Sequence, residues 1–336
     1  MKTDIILLDH GSGGELSDKL IKDVMLKAFD NPDLRKLGDG AVLDIGNRKL
    51  AFSTDSYVVD PVFFPGGSIG DLAVNGTVND IAMCGAEPLY LSVGFILEEG
   101  FAISDLKKIV ADMATAAEHA GVTIVTGDTK VVPKGAADKI FINTSGIGAI
   151  IGANTIADSI AKPGDKIIVS GTIADHGMTI LTQREGLQFE SRIESDSAPL
   201  NHMVKKMVAA SSEISVLRDP TRGGVGTVLN EVADFSGVGI DIFETAIPVN
   251  KQITGVCELL GFDPLYVANE GKLLAFVSPG DADKVLDVIK GCQYGKDACI
   301  IGEVTTEHAG KVYMKTMIGG ERIVHMLSGD QLPRIC

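Results

Sequence analysis

Apolar positions along this chain repeat with two different periods. From Glu15 to Phe29, Leu16, Leu20, Val24 and Ala28 recur at every fourth residue, as on one face of an amphipathic helix. Lys49 to Ser53 reads as a strand running into Thr54 and Asp55. Ser68 to Cys84 is apolar on nearly every side and ends at Gly85, the pattern of a buried helix with a glycine stop. Leu89 to Leu97 predicts a strand. Ser104 to Ala120 predicts a helix, with Ser104 as N-cap and Leu106, Ile109, Val110, Met113 and Ala117 on one face. Val122 to Val125 is a short β-rich run ending at Gly127-Asp128. The stretch from Ile140 to Ala157 lacks charge, but its Asn143, Thr144, Ser145, Asn154 and Thr155 suit a buried strand pair better than a membrane span.

The turn Lys162-Pro163-Gly164-Asp165 opens a second half of the same mixture. Strands are expected at Lys166 to Ser170, 238–243 and Lys272 to Val277, with β-like runs at 299–305 and 311–316. Helices are expected near 200–212, from Gly224 to Phe235 and at 281–290. Periodicity fades beyond Gly319. The reading is an α/β (α+β) protein of two domains: an N-terminal mixed sheet with helices (1–155), a C-terminal α/β domain (156–318), and a mobile tail (319–336) ending in Cys336.

Composition agrees. At 336 residues, two domains are natural, and aromatics at 5% leave the core to Ile, Val, Leu and Ala. A net charge of −15 without a compensating basic cluster argues against nucleic acid and anionic membranes as partners. The five cysteines form no C-x-x-C pair or zinc spacing, and the N-terminus lacks a signal-peptide pattern, so reduced thiols in the cytoplasm are expected.

Four aspartates stand beside glycine or at the expected mouth of a strand: Asp39, Asp55, Asp128 and Asp219. Carboxylates so placed suit Mg²⁺ held against phosphates, although Asp-Gly pairs also make ordinary turns. On the buried helix, Asp71, Asn75 and Asn79 share one face while Asp80 points away. Buried polar groups need partners, either neighbouring loops or a ligand and its metal, and the ligand is favoured. Two glycine-rich stretches, His10-Gly11-Ser12-Gly13-Gly14 and Arg222-Gly223-Gly224-Val225-Gly226, precede helices and offer backbone amides to phosphate. Neither is a P-loop. Cys336 is a thiol at the chain end, where a tail can carry a modified group between sites. Its own α-carboxylate does not activate it.

Together, HGSGG at 10–14, GDGAV at 38–42, STD at 53–55, GDLAVNGTVNDIAMCGAEP at 70–88, TGDTKVV at 126–132, RDPTRGGVG at 218–226, NEGK at 269–272 and PRIC at 333–336 resemble the HypE family of hydrogenase maturation proteins. That family lies within the aminoimidazole-ribotide-synthetase-like ATP-binding superfamily. The resemblance implies that a carbamoyltransferase, HypF, loads a carboxamide onto the Cys336 sulfur. ATP then drives its dehydration to a thiocyanate, and the cyanide passes to iron on a HypC–HypD complex. It implies Mg²⁺ and phosphate contacts for Asp39, Asp55, Asp80 and Asp219. Asp128 and Thr129 would line the nucleotide site, and residues 10–14 would close over the phosphates. Lys130 and Glu270 are candidates for proton transfer or positioning, and a homodimer paired through N-terminal domains is expected. The alternatives are a selenophosphate-synthetase-like or thiamine-phosphate-kinase-like enzyme, or a non-catalytic carrier. The first would want a reactive cysteine near the N-terminus, which residues 1–20 lack.

Overall fold

The computed structural model describes residues 6–11, 14–29, 31–152, 156–157, 160–187, 193–329 and 335–336. The first helical stretch, α1, runs through Glu15–Leu20, Ile21–Met25 and Leu26–Phe29, with π geometry in the middle segment. The first sheet is built from β1 (Ala41–Ile45), β2 (Arg48–Tyr57), β3 (Ala86–Glu98), β4 (Thr123–Val132) and β5 (Ile140–Ile150). Their spatial order is β1-β2-β5-β3-β4, antiparallel except for the β3/β4 pair.

One face of this sheet is covered by α2 (Ile69–Met83) and α3 (Ile103–Ala120). A capping box starts α2: the Ser68 side chain accepts from Gly70 N–H, and the Ser68 N–H donates to Asp71. Gly76 lets α2 lie directly on β2, since a Cβ there would stand 2.2 Å from the Tyr57 hydroxyl. The sheet's other face is open. Phe52, Tyr90, Ile96 and Ile147 are between 37% and 47% exposed.

The second sheet has seven strands: β6 (Lys166–Val169), β7 (Ile214–Arg218), β8 (Gly239–Phe243), β9 (Leu274–Val277), β10 (Cys299–Thr305), β11 (Val312–Lys315) and β12 (Glu321–Val324). The order is β12-β11-β8-β10-β6-β9-β7, with β8/β11 the parallel pair. Its core on one side includes α6 (Gly224–Ser236), and on the other α5 (Asn201–Ala210) and α8 (Ala282–Lys290). A satellite core joins α4 (Asp175–Arg184) to α7 (Lys251–Leu260). No helix among the described residues is long and apolar enough to cross a membrane.

Several boundaries differ from the sequence reading. β2 continues through Asp55, and β4 extends to Val132, so Asp55 and Asp128 lie within strands rather than at their mouths. Ile140 to Ala157 contributes a single strand, β5, not a strand pair, and 153–155 lie outside the described residues. β1, β7, α4 and α7 were not expected. The final segment carries more structure than periodicity predicts: β12 pairs with β11, and Ile335 is buried.

Candidate active site

The acidic centre forms where β2, α2 and the loop after β7 converge. Ser53 on β2 donates to Asp80 of α2 at 2.6 Å and to the Asp39 carbonyl at 3.0 Å, tying the GDG loop, strand and helix together. Arg218, the last residue of β7, pairs with Asp39 and with Glu231 of α6, each at 2.8 Å. Asp219 follows it, buried. The Gly223-Gly224 pair, both at positive φ, then turns the chain into α6, where a Cβ on Gly224 would strike the carbonyls of Leu265 and Val267. Arg222 stands 3.8 Å from Asp55.

Charge dominates this centre. Burial pushes the Asp80 carboxyl well above its ordinary range, and the neighbouring Asp219, Asp55 and Asp39 push it further. Burial raises Asp219 to about 6, with Asp55 adding and Arg218 and Arg222 opposing. Among the described residues, no three His, Cys, Asp or Glu side chains close into a ready-made metal cage. The carboxylates repel one another across the centre without converging on one point.

Glu270 and Cys336 complete this group. Asn269 is a strut for the loop: its Oδ1 accepts from Ala174 N–H at 2.7 Å, and its Nδ2 donates to the Pro220 carbonyl at 2.9 Å. Asp196, paired with Lys272 at 2.9 Å, accepts the Glu270 N–H at 3.1 Å. Burial first, then Asp219, Asp196 and Asp55, hold the Glu270 carboxyl well above its usual range, and its Oε1 is buried without a hydrogen-bond partner. The partly buried Cys336 thiol is raised by burial and then by Glu270, while Arg222 opposes. Arg222 is held firmly charged by Cys336 first, then by Asp55, Glu270 and Asp80. A cavity of about 550 Å³ opens beside Asp39, lined among others by Lys36, Lys49, Cys84, Leu217 and Phe235. That is ligand size.

The structure therefore brings together Asp39, Asp55, Asp80, Asp219, Arg222, Glu270 and Cys336, with Gly223 and Gly224 at the same turn. Other expected site residues stand elsewhere. Asp71 caps its own helix, and burial raises its carboxyl to about 6. Asn75 donates to Ser197, and Asn79 donates to the Ala198 and Glu270 carbonyls while accepting from Leu200 N–H. Their face of α2 meets the Ser197–Leu200 segment and the Glu270 loop of the second domain, the neighbouring-loop alternative of the sequence reading. Asp128, Thr129 and Lys130 lie exposed on β4, three strands from β2, or roughly 14 Å at normal strand spacing. Lys130 is 3.6 Å from Asp128. Gly14 packs against the Leu327 carbonyl and Gly11 has open space around it, while Ser12 and Gly13 lie outside the described residues. Arg218, Asp196 and His176 were missed. Only Arg218 had a signal, its place in the RDPTRGG stretch.

The family comparison bears on the same regions. The description "AIR synthase related protein, N-terminal domain" matches residues 37–150, and its C-terminal counterpart matches 162–315. "Carbamoyl dehydratase HypE" of Cupriavidus necator is 50% identical over 100% of this chain and 96% of its own length. This chain belongs to the HypE family. The HypE of Escherichia coli K12 is 48% identical, covering 98% of this chain and 99% of its own. A HypE in a HypE–HypF complex superposes with a TM-score of 0.88 at 51% identity, covering 92% of this chain and 99% of that one. A HypE solved with ATP gives 0.84 at 52% identity, covering 99% and 100%. A thiamine monophosphate kinase at 20% identity and a TM-score of 0.67 shares the fold of the HypE family.

Proposed function

We propose that this chain is a carbamoyl dehydratase that uses ATP to convert an S-carboxamide on Cys336 into a thiocyanate, the source of the cyanide ligand for NiFe-hydrogenase iron. The observation that carries the reading is the chain's own terminal thiol lying within electrostatic reach of Glu270, Arg222 and Asp55. The relatives' printed activity and the neighbours solved with HypF and with ATP support it.

An amide oxygen is a poor leaving group until it is phosphorylated. The carboxamide oxygen attacks the γ-phosphorus of ATP, the bond to ADP breaks, and one N–H proton is lost. The C–O bond then breaks, phosphate departs, and loss of the second N–H proton leaves a carbon–nitrogen triple bond on sulfur. The sum is S-carboxamide plus ATP giving thiocyanate, ADP and phosphate. Glu270 suits the proton-accepting role: its unpartnered Oε1 and raised carboxyl lie beside the sulfur that carries the amide. Arg222 offsets negative charge at the same point. The cavity beside Asp39 offers the nucleotide room.

Mg²⁺ fits the donor set. Asp39, Asp55, Asp80 and Asp219 are hard oxygen ligands whose mutual repulsion a divalent cation would relieve. The lack of a closed cage suits an ion that keeps waters and shares phosphate oxygens. When bound, Mg²⁺ supplies charge neutralisation at the phosphates.

A homodimer completes the arrangement. The open face of the first sheet carries Phe52, Tyr90 and Ile147 around polar Thr54, Asn143 and Asp128, the profile of an interface with an apolar core. Asp128 and Lys130, on that face, would then serve the centre of a second copy, with Thr129 between them on the same strand. HypF loads the tail, and a HypC–HypD complex receives the cyanide.

The test is mass spectrometry of the C-terminal peptide after incubation with carbamoyltransferase, carbamoyl phosphate and Mg·ATP. A carbamoyl adduct on Cys336 that loses one water only with ATP is expected. An adduct that never dehydrates would leave this protein a carrier.

A further inference from the structure

We infer that His176 is the latch that seats the carrier tail in the active site, a positioning role that rests on the dehydratase reading above. His176 lies in the first turn of α4, fully buried, with the Phe64 ring edge-on at 5.6 Å between centroids. Its Nε2 is 2.7 Å from the Ile335 carbonyl oxygen, and its Nδ1 is 2.8 Å from Ser195 Oγ.

Elementary chemistry fixes the direction of this chain of bonds. A carbonyl oxygen only accepts, so Nε2 carries a proton and donates to Ile335. Burial holds the ring below the ordinary histidine range, and in a neutral ring Nδ1 then accepts. Ser195 Oγ accepts from the Ser197 N–H at 3.1 Å, which leaves its own proton for Nδ1. The donors all point toward the tail.

Two further contacts hold the same two residues. An oxygen of the Cys336 α-carboxylate accepts from Val58 N–H at 3.1 Å, one residue beyond β2 and three beyond Asp55. The Ile335 side chain is 4% exposed and belongs to the core that includes Phe64, Ile180 and Ala268. Backbone bonds on both residues and a buried side chain leave the sulfur little freedom except its own rotamer, which faces Glu270 and Arg222.

The Ile335 carbonyl is the reason a histidine matters here. Docking carries that oxygen out of water, and without a donor it would be buried unsatisfied. His176 thus sets the balance between docked and released tail. Loading by another protein needs the tail released, while dehydration needs it seated. Weakening the latch moves the balance in opposite directions for the two steps.

The experiment uses the full-length protein and the variants His176→Ala, His176→Gln and Ile335→Ala. Cys336 alkylation by iodoacetamide, read on the C-terminal peptide, needs no ATP or partner and reports docking alone. His176→Ala is expected to raise the alkylation rate about tenfold, and His176→Gln, whose side chain keeps a donor, to restore part of the protection. Ile335→Ala is a tail change that leaves the fold intact, and it should raise the rate similarly. Combining it with His176→Ala should add little, because both act through one docked state. In single-turnover assays, His176→Ala should load at least as fast as the parent and dehydrate about tenfold more slowly. Unchanged alkylation in a folded His176→Ala protein, or fully additive effects with Ile335→Ala, would overturn the latch. Normal alkylation shifts with no dehydration in any protein would instead overturn the reaction assigned to the site.

Discussion

Asp80 is buried among Asp219, Asp55 and Asp39, with Ser53 donating to it. The folded state therefore holds the protons of Asp80, Asp219 and Glu270 more tightly than the unfolded chain does. For Asp219 the shift runs from the unfolded value near 4 up to about 6. Since the native state binds more protons across that window, stability falls as pH rises through it and stays lower above. A cation that relieves the repulsion should help most where the carboxylates are ionised. Mg²⁺ is expected to raise the melting temperature clearly at pH 7.5 and little at pH 5, and equal shifts at both would refute the assignment of the cluster to Mg²⁺. Asp80→Asn should stabilise the metal-free protein by roughly 1–3 kcal/mol, measured by urea unfolding, while abolishing ATP turnover. Glu270→Gln acts on the chemistry instead. It keeps the shape and the carbonyl oxygen but cannot accept a proton, so dehydration of the loaded protein should slow by about 10²-fold or more with loading intact.

Helix α2 connects the two halves of the centre. Its capping box and its uniformly apolar positions make it helical and buried, and its length sets Asp71, Asn75 and Asn79 along the seam with the second domain while Asp80 faces the acidic group. Asn79→Ala would leave the Leu200 N–H and the Ala198 carbonyl without this partner, and should cost roughly 2–3 kcal/mol in chemical denaturation. It should also loosen the Glu270 loop, so turnover falls more than the lost stability explains. A drop in stability with turnover untouched would confine Asn79 to packing. This helix was legible in sequence because nothing polar interrupts its pattern except residues with a purpose. β4 was not, because Thr126-Gly127-Asp128-Thr129-Lys130 has the composition of a turn. It forms a strand as the exposed edge of a sheet, paired along one side to β3. α4 escaped for the opposite reason: Asp175, His176, Thr179 and Thr182 are all buried and break any amphipathic stripe, Asp175 bonded by Asn250, His176 by Ser195 and Ile335, and the two threonines donating back to carbonyls of their own helix. Asp39, Asp55 and Asp219 stood out by their glycine and strand contexts, whereas Asp80 and Glu270 were named as site residues only through the family resemblance. The docking of Cys336 was not readable, since it depends on Val58 and His176, far apart in sequence and in no shared motif.

Across the whole molecule, the centre described in one chain holds acids, two arginines and a thiol, while Lys130 and Asp128 stand three strands away on the open sheet face. That face exposes Phe52, Tyr90 and Ile147 side by side across neighbouring strands, a patch with a strong apolar incentive to be covered. In the proposed homodimer a second copy related by a two-fold axis would cover both patches at once, because an isologous interface uses the same surface twice. It would also add the Lys130 charge to the arginines already at each acidic centre. Tyr90→Glu together with Ile147→Lys puts charges of opposite sign on one sheet face and breaks its apolar continuity. Light scattering should then report a monomer near 35 kDa in place of the proposed dimer. Because the changes lie away from α2 and the second domain, each chain should stay folded and Cys336 should remain protected from alkylation. If dimerisation supplies Lys130 and Asp128, the monomer should accept a carbamoyl group yet fail to dehydrate it, as Lys130→Ala should in a dimer. A monomeric variant with full dehydratase activity would show instead that one chain is sufficient and that the open face serves some other contact.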